Sequence, residues 1–240
     1  MKDEIALILV LTIIFANLNV AYAVQSTIII QPSTADTYAN SFDVIIHKGP
    51  GHGENLGIFV GNCYFEPEKL YGSARSFIRF NLTEVSSDAE VKKAFLKLYM
   101  YSAPASPQIY EAYRITSDWS EHWLNWTVQP TFASYPTNYT MINPTPSAGW
   151  ISWDITEDVK AWYSGSSPNY GTMLKIRFER NASDEVAAFY PREAHHPDLL
   201  PKLEVTFESE VPIPELQAFM LPALMALTLT LTLFLTRRKQ

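Results

Sequence analysis

Arg75, Arg79 and Lys97, with Phe95, Tyr99 and Trp123, are the residues whose types and spacing suggest chemistry, and that chemistry is recognition. A guanidinium forks onto a carboxylate, and an aromatic ring offers an apolar plate to the C–H groups of a pyranose. Side chains alternate between faces along a strand. In residues 75–82, Ser76, Ile78, Phe80 and Leu82 share one face, leaving Arg75, Phe77, Arg79 and Asn81 on the other. In residues 94–101, Ala94, Leu96 and Leu98 face inward and leave Phe95, Lys97 and Tyr99. If these neighbours pair antiparallel, their second faces merge into a surface of cations and aromatics that suits a sugar polymer carrying carboxylates. The plainer alternative is that acidic residues hold the cations as ordinary ion pairs over a half-buried face.

Other chemistry finds less footing. The chain has no Gly-x-Ser-x-Gly elbow, no His-Glu-x-x-His, no Walker loop and no dinucleotide fingerprint. His195-His196 precede Pro197-Asp198 in a turn-like setting, and Cys63 with His47 and His52 matches no familiar zinc spacing. With 25 acidic residues some carboxylate pair is inevitable, so none is assigned to glycosidase chemistry.

The elements that must position these side chains are short and β-like. Runs at 27–30, 57–60, 76–82, 94–101, 109–115, 150–153, 173–178, 186–190 and 203–207 carry β-branched or aromatic residues between turn residues. With 16 prolines, they predict an antiparallel sandwich. One helix is expected, with Asp154 as cap, Glu157 completing a capping box, Ile155, Val159 and Trp162 on one face, and Gly165 as the stop. Residues 130–148, rich in Pro, Thr, Asn and Ser, read as the longest loop. All 6 tryptophans fall between Trp119 and Trp162, and most such rings build a core.

The two ends give an address. Residues 1–23 read as a secretory signal, with an apolar stretch from Ile5 to Phe15 and Ala21-Tyr22-Ala23 as the cleavage site. Residues 24–207 form the domain and 208–218 a linker. Residues 219–236 are an uncharged run that can just cross a bilayer as a helix, followed at 237–240 by a basic cytoplasmic tail. The expected localisation is the cell surface, anchored in the membrane with the domain outside. The net charge is −7, and four of the 18 cations lie in the two ends, so the outward part is more negative still. That balance argues against a nucleic-acid partner. A lone cysteine leaves no internal disulfide framework, so the core must hold the fold. Asn81, Asn125, Asn138 and Asn181 each open a glycosylation sequon.

An ordered series of motifs carries a resemblance. Asp36-Thr-Tyr38, Asn55-Leu-Gly57, Arg75-Ser-Phe-Ile-Arg-Phe-Asn-Leu82, Ala94-x-Leu-x-Leu-Tyr99, Tyr113-Arg-Ile-Thr116, Asp118-Trp119-x-Glu121, Gly149-Trp150, Asp154-Ile-Thr156, Asn169-Tyr-Gly171, Arg192-Glu193 and Pro201-x-Leu203 occur in that order. Together they resemble the DNRLRE domain, also classed as carbohydrate-binding module family 96, whose repeats occur in archaeal surface proteins. The resemblance implies an all-β, jelly-roll β-sandwich that binds carbohydrate, with members linked to acidic polysaccharides such as alginate, and it implies no catalysis. Trp123 stands where the family usually has a small or polar residue, which marks it as more exposed than the other five and as the first choice for a sugar-stacking ring. Jelly-roll modules often hold a structural ion, and Asp36, Asp43 and Glu54 are the candidates for calcium; no other cofactor is implied. The tail resembles archaeal surface-sorting signals, with Pro212-Ile-Pro-Glu215 as the motif but Leu216 where an aromatic is usual; permanent anchoring is the simpler reading. The expected function is non-catalytic binding of an acidic envelope or matrix polysaccharide. The alternatives are an adhesive envelope module that binds protein and, more distantly, a polysaccharide-cleaving enzyme.

Overall fold

The computed structural model describes residues 21–31, 33, 35–40, 57–65, 69–83 and 89–212, with five single positions beyond 221. Most of the expected signal segment, Asp43 and Glu54, His47 and His52, the linker beyond 212 and nearly all of the expected anchor lie outside the described residues. Among the described residues no helix is long and apolar enough to cross a membrane. The chain divides into two compact units, residues 1–25 with 208–240, and Ser26–Phe207. The second contains the motifs.

Among the described residues, alternating apolar side chains form eleven strands: β1 (Ala21–Ile30), β2 (Ala35–Asn40), β3 (Ile58–Phe65), β4 (Leu70–Arg79), β5 (Glu90–Ser102), β6 (Gln108–Arg114), β7 (Asn138–Ile142), β8 (Gly149–Asp154), β9 (Thr172–Ile176), β10 (Ala187–Phe189) and β11 (Lys202–Pro212). The helix α1 (Thr156–Tyr163) lies between β8 and β9. The hydrogen-bonded order is β1-β11-β5-β10-β3-β4-β9-β6-β7, with β2 beside β4 and β8 beside β5. This antiparallel sheet curls over itself into an all-β sandwich of jelly-roll type. Leu96, Leu98, Met100, Trp153, Leu203 and Val205 from one layer and Ile78, Phe80, Ala112, Leu174 and Ile176 from the other share one core. Trp153 donates its indole N–H to the Tyr110 carbonyl at 3.0 Å, tying β8 to β6 through that core.

Two positions differ from the expected elements for local reasons. Residues 130–148 contain β7, where exposed Tyr139 and Met141 alternate with less exposed Thr140 and Ile142, and flanking prolines and hydroxyl residues obscure so short a pattern. The helix starts two residues after Asp154, and the capping box is not formed. Asp154 accepts instead from the Thr156 N–H at 3.0 Å and from the Thr156 hydroxyl at 2.5 Å, while Glu157 turns to Lys160 at 3.0 Å. The Thr156 hydroxyl also accepts from the Ala94 N–H at 2.9 Å, so it does the positioning that Glu157 was expected to do.

β3 passes from one layer to the other at Gly61. Ile58, Phe59 and Val60 pair with β10, whereas Gly61 to Phe65 pair with β4. Gly61 has φ of 130°, a left-handed backbone that side chains avoid, and a Cβ there would lie 2.0 Å from the Glu185 carbonyl oxygen. The next residue, buried Asn62, accepts from Ser73 at 2.6 Å and donates to the Glu185 carboxylate at 2.7 Å and the Phe178 carbonyl at 2.8 Å. Arg180 adds a charged hydrogen bond to Glu185. Burial opposes ionisation of Glu185, but the bonds from Arg180 and Asn62 outweigh it and hold the carboxyl below its usual range.

Candidate functional site

β4 and β5 do not pair. β4 is flanked by β2, β3 and β9, and β5 by β11, β8 and β10, so the expected single surface of cations and aromatics is not formed. Each strand buries one face in the same core from opposite layers, β4 through Ile78 and β5 through Ala94, Leu96, Leu98 and Met100. The remaining faces therefore look away from each other. Phe95, Lys97 and Tyr99 lie on one side of the domain, and Arg75, Arg79 and Trp123 on the other.

On the β5 side, Tyr99 is the centre of an aromatic row. Its register partner on β8 is Trp150, and the two rings meet edge to face with centroids 5.5 Å apart. Tyr190, just past β10, donates its N–H to the Tyr99 carbonyl at 3.1 Å and lays its ring near-parallel to Tyr99 at 6.1 Å. Tyr101 lies 4.9 Å from Tyr190 and the imidazole of His196 5.4 Å from it. Burial raises the Tyr101 phenol, so it stays a neutral hydrogen-bonding group. The Lys202 ammonium sits 3.8 Å over the Trp150 ring and makes no ion pair with a described residue. Lys97 is bound to Glu204 at 2.6 Å and faces Ser152 across the ladder, while Phe95 faces Asp154. A strip of rings thus crosses three strands, with an ammonium at one end and polar side chains alongside.

On the β4 side, residues 116–133 fold over the sheet. Trp119, Leu124 and Ile115 cover Phe77, Tyr113 and Met173 in a second apolar cluster. Arg75 makes a bidentate pair with Glu179, 2.7 Å on each arm, donates to Gln129 at 3.0 Å and stacks 4.6 Å over Trp126. Arg79 reaches Asp118 at 2.9 Å and lies 5.3 Å over Trp119. The Trp119 backbone N–H, and after it the Arg79 guanidinium, hold the Asp118 carboxyl below its usual range. All three sequence-predicted cations are therefore engaged by carboxylates of the domain. Trp123 is the most exposed of the tryptophans, 71 % against 37 % for Trp150, 8 % for Trp119 and 0 % for Trp153. The turn that lifts it out is closed by the N–H groups of Trp123 and Leu124, which both donate to the Ser120 carbonyl.

The residues missed by sequence reasoning are Trp150, Tyr190 and Lys202. Alternation carried a signal for the first, because Trp150 and Trp153 are an odd number apart on one strand and Trp153 is the buried one. Of the calcium candidates, Asp36 pairs with Ile78 in the β2–β4 ladder, and Asp43 and Glu54 are outside the described residues. Among the described residues no three His, Cys, Asp or Glu side chains gather as a metal site. Of the sequons, Asn81 and Asn181 are exposed. Asn125 is half-buried, and its side-chain oxygen accepts from the Thr127 N–H, the Thr127 hydroxyl and the Val128 N–H; Asn138 is part of β7. His195 and His196 are exposed next to a short 3-10 turn, and Cys63 is half-buried. Glu121 and Glu193 both bind the Arg192 guanidinium, at 2.6 and 2.7 Å.

No curated protein matches the chain. Residues 27–207 match the model of carbohydrate-binding module family 96, as the ordered motifs indicated, and with the sandwich they run through, from Thr27 in β1 to Phe207 in β11, the chain belongs to that family.

Proposed function

We propose that this domain is a non-catalytic, cell-surface module that holds an acidic polysaccharide of the envelope or matrix on the outer face of β5, β8 and β11. The observation that carries the reading is the row Trp150–Tyr99–Tyr190 with Lys202 over its end. Pyranose C–H groups pack on the rings, and Lys202 leaves the Trp150 face to meet a uronate carboxylate. Lys97 is already neutralised by Glu204, so it orients the strip more than it binds. The secretory segment at 1–23 and the apolar run at 219–236 support display outside the membrane.

The test is retention of the purified full chain on immobilised alginate or polygalacturonate at low salt. Retention that weakens with salt and falls in Trp150→Ala and Lys202→Ala supports the reading. Retention unchanged in both variants overturns the assignment to this face.

A further inference from the structure

We infer that the domain has a second saccharide site on its opposite side, at Trp123, and that it therefore bridges two polysaccharide segments. The inference rests on the carbohydrate-binding role proposed above and extends it. Trp123 and Val128, 71 % and 59 % exposed, border a cleft of about 120 Å³ that is walled by Ser117, Asp118, Ser120 and Gln129. A liquid water occupies roughly 30 Å³, so the cleft admits about four waters or the edge of one sugar ring. Its chemistry matches that edge: an indole for the C–H face, and hydroxyl, amide and carboxylate groups for sugar hydroxyls. Asp118 stays ionised through the Trp119 N–H and Arg79, so it accepts hydrogen bonds from a ligand rather than donating them.

The floor of the cleft is built. Trp119 is locked by its indole bond to the Tyr170 carbonyl at 2.7 Å, and Gln129 is fixed between the Trp126 carbonyl and Arg75. Such a floor costs little ordering on binding. Because β4 and β5 share their core, this cleft and the Tyr99 row face away from each other, and one continuous glycan segment cannot lie on both. Two segments can, which makes the domain a cross-linker whose hold on a polymer network exceeds that of either site alone.

The experiment uses the full chain, alginate-coated beads and soluble fluorescent alginate. Wild type binds the beads and recruits the labelled polymer. Trp123→Ala, an exposed position that leaves the thermal transition unchanged, still binds the beads but recruits at least fivefold less polymer. Trp150→Ala recruits less in the same way while retaining the weaker hold of the Trp123 site. Wild type that binds beads without recruiting, or Trp123→Ala that recruits fully, overturns the second site and leaves the proposed function standing. No retention of wild type on polyuronate refutes both.

Discussion

Substituting Gly61 by alanine isolates the strand switch on which both faces depend. The added methyl would sit 2.0 Å from the Glu185 carbonyl oxygen, 2.8 Å from its carbonyl carbon and 2.9 Å from the Val186 Cα, all backbone atoms with no rotamer to move away. The φ of 130° adds a conformational penalty of about 1–3 kcal/mol for any residue with a Cβ. Relief requires the Glu185 backbone to retreat, which strains the Glu185 N–H bond to the Asn62 carbonyl at 3.1 Å and the Tyr110 hydroxyl bond to the Glu185 carbonyl at 2.8 Å. Each neutral hydrogen bond is worth about 1 kcal/mol, so with both lost the total is about 3–5 kcal/mol. For a domain of this size, about 1 kcal/mol shifts the midpoint by roughly 2–4 °C, so Gly61→Ala melts about 6–20 °C below wild type. Gly165→Ala is the control: φ of 72° and nothing within 4 Å of its Cβ, so it pays only the left-handed penalty of about 1 kcal/mol. Differential scanning fluorimetry of the full chain reads both. A Gly61→Ala midpoint within 2 °C of wild type, or one no lower than that of Gly165→Ala, refutes the close approach at the switch.

Other outcomes follow from the same contacts. Trp150 is 37 % exposed, and covering the exposed third of an indole of about 250 Å² at ~25 cal/mol per Å² is worth about 2 kcal/mol, so Trp150→Ala weakens binding roughly 30-fold in affinity electrophoresis. Arg75→Ala leaves Glu179 half-buried without its bidentate partner and strips Trp126 of its stacked cation, costing about 2–3 kcal/mol in urea unfolding with no change in retention at the Tyr99 row. Glu185, held below its usual range, contributes stability that is complete above about pH 4.3 and is lost as pH falls through its lower native value; Glu185→Gln removes that part of the acid limb. Asp158 behaves oppositely. Burial raises it against the bonds from Thr137 and Arg114, so stability falls as pH rises from about 3.9 through its native value, and Asp158→Asn abolishes that decline in the difference between pH–stability profiles.

Much of this molecule is written in local patterns. The alternation at 94–101 is reproduced residue for residue, because β5 has one face in the core and one in water. The exposure of Trp123 agrees with what the family resemblance implied, since a large ring where the family usually has a small or polar residue has no prepared socket. Pairing partners were not legible in the same way. Ladder neighbours are set by long-range burial, and two adjacent strands with apolar faces serve a sandwich equally well side by side or face to face. Here the second arrangement won, and it split one expected surface into two. The cations at Arg75 and Arg79 illustrate the rest: their ion-pair partners, Glu179 and Asp118, are 104 and 39 residues away, and no spacing rule connects them. Tyr190 entered the row for a similar reason, through β10 inserted between β5 and β3 from far along the chain.

The measurement that bears most directly on the central claim is titration of the full chain with polyuronate oligosaccharides by isothermal calorimetry, in wild type and in Tyr99→Ala with Trp150→Ala. The account predicts salt-sensitive binding by wild type and loss of the stronger site in the double variant, with the thermal transition retained. Wild type that binds no acidic oligosaccharide at low salt, while the same sample binds a protein of the envelope, contradicts it.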